Sequence, residues 1–149
     1  MPRGNLAGSE NLPLCPASMR EFGPPPSLDE IEQLARQALA DLPQPFAGRL
    51  AGVVLQVLDL ADETTLAEMG IADPFELSGL YEGIPLGDKS VELPAAMPDR
   101  ILLFRRPILD EWAEGDDSLE RIVRHVVIHE AGHHFGLSDA DMHAIEEAE

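Results

Sequence analysis

The chain has 149 residues, enough for one domain with a real core but too few for two full lobes. Its 28 acidic residues against 10 Lys and Arg give a formal charge of −18, which argues against nucleic acid and anionic membrane surfaces as partners, since both need clustered positive charge. Cys15 is the only cysteine, so no intrachain disulfide forms. No apolar run approaches the ~20 residues of a membrane span, and the N-terminus lacks the apolar core of a secretory signal; a cytoplasmic location is expected.

Residues 1–26 are rich in Pro, Gly, Asn and Ser and end in Gly23-Pro24-Pro25-Pro26. They read as a disordered leader, with Met19 as an alternative translation start, followed by a single domain over 27–149. Ser27 and Glu30 form a capping-box pattern. Leu28, Ile31, Leu34, Ala35, Ala38 and Leu42 then recur at helical spacing, which predicts a first helix to about Asp41. Pro43 and Pro45 stop it.

Val53 to Leu60 is β-branched and apolar, as a strand requires, and residues 63–69 suit a short helix. Leu80 to Gly83 is a weaker strand and Arg100 to Arg106 a stronger one ended by Pro107, with a Gly- and Pro-containing loop between them. Pro107 opens a helix through Trp112, and Gly115-Asp116-Asp117-Ser118 breaks it. The next helix starts near Ser118, carries the apolar stripe Leu119, Ile122, Val123, Val126 and Val127, and ends at Gly136, a residue free to turn the chain through positive φ. Ser138 and Asp141 cap a last helix toward Ala148. Helix, strand, further strands and then helices make an α+β domain.

The end of the penultimate helix and the turn after it carry His129, Glu130, His133, Gly136 and Asp139, spelling H-E-x-x-H-x-x-G-x-x-D. Two histidines one helical turn apart share a face and reach one metal ion, while Glu130, about 60° round the helix from His133, addresses a water held there. The alternative is a core helix whose histidines are satisfied by backbone or by each other. A shuffled chain of this composition contains H-E-x-x-H about 2% of the time, and requiring the later Gly and Asp lowers that roughly a hundredfold. Asp139, brought back by the Gly136 turn, completes a His, His, Asp zinc set with an open position for water. Its other reading is a first-turn carboxylate favoured by the dipole of the last helix, and His143 competes with it as third ligand.

Other residues have two readings each. His125, one turn before His129, is either a partner behind the ligands or a buried structural histidine, the second being favoured. His134 points away from the ligand pair and is expected to be partly exposed. Tyr81 either packs in the core or donates to an oxyanion; core packing is favoured. Arg105 and Arg106 are expected to pair with the acidic surface rather than bind a substrate carboxylate.

The segment from His129 to Asp139 resembles the small bacterial zincin-like metallopeptidase family. Asp41-Leu42-Pro43, Gly79-Leu80-Tyr81-Glu82-Gly83 and Ile101-Leu102-Leu103-Phe104-Arg105 extend the likeness over roughly residues 27 to 145. The resemblance implies a minimal zincin fold, a twisted mixed sheet against the H-E-x-x-H helix, with His129, His133 and Asp139 as Zn2+ ligands and Glu130 as general base. The metzincin-like glycine is present, but Asp139 stands where metzincins usually have histidine, and Met142 follows too closely to make their methionine turn.

Together these features predict a zinc-dependent peptidase acting on peptides or unfolded polypeptides, with Glu130 taking a proton from metal-activated water. The alternative is a non-catalytic metal-binding or protein-interaction module on the same scaffold. A zinc endoribonuclease with a third histidine in the motif fits less well, because Asp139 occupies that position and the charge opposes RNA.

Overall fold

The structure, a computed structural model, describes residues 21–83 and 99–147. The expectations for the leader up to residue 20, with Cys15 and Met19, and for the Gly- and Pro-containing loop fall outside these residues. Helix α1 spans Leu28–Ala40, and both halves of its capping box form: Glu30 N–H donates to Ser27 Oγ at 3.1 Å and Ser27 N–H to Glu30 Oε1 at 2.9 Å. Helix α2 (Phe46–Arg49) is a single turn that the proline-rich sequence had masked. Strand β1 is Val54–Leu58 and helix α3 Glu63–Met69, the latter capped by Asp62 and closed by Gly70 at φ 69°. A 3-10 turn over Pro74–Glu76 leads into β2 (Gly79–Glu82), and β3 is Arg100–Phe104.

The expected strand to Arg106 ends two residues early, because helix α4 begins at Arg105 and runs to Glu114. Pro107 is therefore not a strand terminator but the third residue of a helix, in the first turn, where its missing N–H has no intrahelical partner to lose. Asp59 fixes the corner: its carbonyl accepts from Arg106 N–H at 3.0 Å and its carboxylate from Arg105 Nη1 at 2.9 Å. Arg105 thus pairs with the acidic surface, as expected. Helix α5 is Leu119–Phe135, with Ser118 as N-cap, and α6 is Asp139–Glu147.

The sheet has the order β1-β3-β2, with β3 parallel to β1 and antiparallel to β2. β3 is central and covered on both faces, so Ile101, Leu102, Leu103 and Phe104 are all buried, whereas β1 at the edge alternates exposed and buried positions. Leu55, Val57, Ile101 and Leu103 face the core formed with Ile31 and Ala35 of α1 and Val123, Val126 and Val127 of α5. Leu102 and Phe104 face the other way into a smaller cluster with Ala61, Leu66 and Leu77. This is a small mixed sheet between helices, an α+β arrangement that lays α5 across one sheet face next to β2.

Candidate active site

Helix α5 sorts its polar residues by face. Val123, Val126, Val127, Glu130 and His134 recur at three- and four-residue steps and are buried toward the sheet, while His125, His129 and His133 form a second stripe toward solvent. The rings of His129 and His133 stand 5.6 Å apart, centroid to centroid, inclined at 67°. His129 is half-buried and the His133 side chain is 49% exposed, so both are accessible to an ion from outside.

Glu130 is the chemically unusual residue. Only 7% of it is exposed, a rare position for a carboxylate. Its Oε2 lies 3.1 Å from His133 Nδ1, which leaves Nε2 as the His133 nitrogen available to a metal. Burial raises its pKa above the ordinary carboxylate value; the charges of His133 and His129, a hydrogen bond from His133 and the Tyr81 backbone N–H oppose that rise. A buried carboxyl with raised proton affinity beside two imidazoles suits a group that accepts and returns a proton.

Strand β2 makes that burial possible. A Cβ placed on Gly79 would sit 2.6 Å from Val126 Cγ1 and 3.1 Å from Glu130 Cγ, so only glycine lets the strand approach the helix so closely. Two residues on, the Tyr81 N–H reaches the Glu130 carboxylate. The Tyr81 hydroxyl donates to Asp99 Oδ2 at 3.1 Å, and His134 Nδ1 meets the same oxygen at 2.8 Å. β2, the start of β3 and the end of α5 are thereby joined by one polar cluster of Tyr81, Asp99 and His134.

Two sequence expectations are corrected here. His134 is not partly exposed but 3% exposed, because it follows Glu130 by four residues and so falls on the sheet-facing side. His125 is not a buried structural histidine: its side chain is 56% exposed, since it shares the solvent-facing stripe with His129 and His133. Tyr81 is half-buried and spends its hydroxyl on Asp99 and His134. Sequence reading passed over Asp99, which no motif marks, and the role of Gly79, for which the signal was a glycine opening a strand.

Gly136 adopts φ 67° and closes α5, and Ser138 and Asp141 cap α6 reciprocally, Ser138 N–H donating to Asp141 Oδ2 and Asp141 N–H to Ser138 Oγ, both at 3.2 Å. Asp139 is the exposed first residue of α6, and His143, one turn later, is 69% exposed with Nε2 3.5 Å from Glu147. Among the described residues no three His, Cys, Asp or Glu side chains converge closely enough to hold a metal ion. His133 stands beside both His129 and Glu130, and Asp139 does not converge with them. No described helix is long and apolar enough to cross a membrane.

No curated protein matches the chain. The family model described as zincin-like metallopeptidase matches residues 50–148, from the end of α2 through the whole of α5 and α6. With two thirds of its length matched, including the helix that carries the histidines, the chain belongs to the zincin-like metallopeptidase family.

Proposed function

We propose that the protein is a zinc-dependent peptidase in which His129 and His133 hold the metal, Asp139 completes the ligand set and Glu130 is the general base. The observation that carries this reading is Glu130: a buried carboxyl with raised proton affinity, flanked by two accessible imidazoles one turn apart. The donor set suits zinc, which takes neutral imidazole nitrogen and carboxylate oxygen in four-coordinate sites with one place left open for catalysis. When bound, zinc supplies an acidified water and a Lewis acid for the scissile carbonyl.

The chain's own residues do the rest. Glu130 takes a proton from water at Oε and returns it to the leaving amine, and the Tyr81 N–H holds the carboxylate while it is charged. β2 pairs with β3 along one side only among the described strands, so its other edge is open to an extended peptide except at the Tyr81 N–H, which Glu130 takes. The strongly negative charge favours peptide over nucleic acid as substrate, and the lone cysteine suits action in a reducing cytoplasm.

The test is elemental analysis of the purified protein together with a peptide-library digest, comparing wild type with Glu130→Gln. One equivalent of zinc in both, with cleavage only in wild type, is the expected result. Zinc in both with cleavage in neither means a non-catalytic metal-binding module instead, and cleavage by the Gln variant removes Glu130 from the role of base.

A further inference from the structure

His125 has no part in the proposed chemistry, yet it is held on both sides. Its Nδ1 lies 2.6 Å from Glu146 Oε1 of α6, and its ring stacks on that of His129, 5.7 Å between centroids and 28° between planes. Glu146 is itself only 23% exposed on its side chain, and it sits where α6 has come back antiparallel along α5. The approach is fixed one turn earlier, where buried Met142 lies over Gly132 so closely that any side chain at 132 would collide with its Sδ. Glu146 is thus delivered to His125 by the packing of α6.

His129 is placed between two rings. His133 flanks it at 5.6 Å on the C-terminal side and His125 at 5.7 Å on the N-terminal side. An imidazole on a helix surface chooses among staggered rotamers, and a half-exposed one samples several unless neighbours occupy the alternatives. A ring stacked on its N-terminal side occupies that space. The Glu146 contact supplies what an unsupported exposed ring would lack, a fixed orientation.

We infer that His125 and Glu146 are positioning residues for His129: Glu146 fixes the His125 ring, and that ring holds the His129 imidazole toward His133. The inference rests on the reading of His129 and His133 as a metal pair. It extends the site one helical turn beyond the H-E-x-x-H motif and into α6. A cleft of about 760 Å³ opens beside this contact, lined by His125, Glu146, His143 and Arg121 among others, so an ion or substrate approaching from that side would meet the Glu146–His125 pair.

Two measurements test it, one with metal and one without. Co2+ is titrated into wild type, His129→Ala, His125→Ala, His125→Phe and Glu146→Ala against a chromophoric chelator, recording the d–d absorption. In the metal-free proteins, α-to-β proton couplings report the rotamer of His129. The expected result is a loss of Co2+ affinity of about 10- to 100-fold in His125→Ala and Glu146→Ala, partial recovery in His125→Phe, which restores a ring to stack, and averaged His129 couplings in both alanine variants. Wild-type affinity and a fixed His129 rotamer in both alanine variants would overturn the inference. Weakened binding with the rotamer still fixed would also overturn it, because His125 would then act on the ion directly. A wild type that binds no Co2+ through His129 defeats the metal reading alone, and the couplings still decide whether His125 positions His129.

Discussion

Gly79 of β2 lies against Glu130 of α5 so closely that a methyl group at 79 would have its carbon 3.1 Å from Glu130 Cγ and 2.6 Å from Val126 Cγ1. Val126 is β-branched and has one favoured rotamer in a helix, so it yields little. The position of Glu130 is therefore set by how near the strand can come.

Gly79→Ala consequently pushes β2 and α5 apart rather than filling space. Overpacking of this kind costs about 1 to 3 kcal/mol, which denaturant unfolding of the metal-free protein measures. Because the Tyr81 N–H that reaches Glu130 moves with the strand, peptide hydrolysis should fall by more than the loss of folded protein explains. A variant as stable and as active as wild type would show that strand and helix have room to spare.

Tyr81 provides a probe of its cluster with Asp99 and His134. Burial raises its hydroxyl pKa above the ordinary 10.0, and the hydrogen bond to Asp99 and that residue's charge raise it further. A raised folded-state value means that the stabilisation from the neutral hydroxyl is fully present below pH 10.0 and is lost as pH climbs above it toward the folded-state value. Tyr81 is the only tyrosine, so tyrosinate absorbance reports this one group. Titration of the native protein should show no ionisation near pH 10 until unfolding releases it, and Tyr81→Phe should remove the part of the alkaline stability loss linked to it. A tyrosinate signal in folded protein near pH 10 would mean that the hydroxyl is not held by Asp99.

Asp139 and His143 are the two candidates for the third ligand of the proposed metal site. Both are exposed on the first two turns of α6, and neither is gathered with His129 and His133 among the described residues. Asp139 follows the Gly136 turn directly, whereas His143 lies one turn deeper and has Glu147 at 3.5 Å. Zinc content after dialysis should fall in Asp139→Ala and stay near one equivalent in His143→Ala. The reverse pattern would assign the ligand to His143.

Helices were readable where local rules governed them. Ser27 with Glu30, Ser118 and Gly136 mark ends that depend on a side chain or a left-handed residue within a few positions, and the observed boundaries fall where those residues put them. The boundary between β3 and α4 was not readable. It depends on Asp59, more than forty residues away, which holds Arg105 and the Arg106 N–H and so lets a helix start before Pro107. The site divides the same way. His129, Glu130 and His133 follow from one helix's geometry. The burial of His134 and the exposure of His125 depend on which face of α5 meets the sheet, and Asp99 becomes visible only once β2 and β3 lie side by side.

Gly132, inside the H-E-x-x-H motif, sets the distance between α5 and α6. In an exposed helix Gly→Ala would gain up to about 1 kcal/mol from propensity. Here the added carbon would collide with Met142 Sδ and stand 2.6 Å from its Cγ, and Met142 is only 3% exposed, with little room to turn aside. Gly132→Ala should therefore destabilise the metal-free protein by about 1 to 3 kcal/mol. Met142→Ala, which opens a cavity, should cost about 2 to 5 kcal/mol. The two changes meet at one contact, so the double variant should cost clearly less than their sum, the new methyl occupying part of the space that Met142 vacates. Additive costs in a denaturant double-mutant cycle would mean that Gly132 and Met142 do not pack on each other, and that α6 is held to α5 elsewhere.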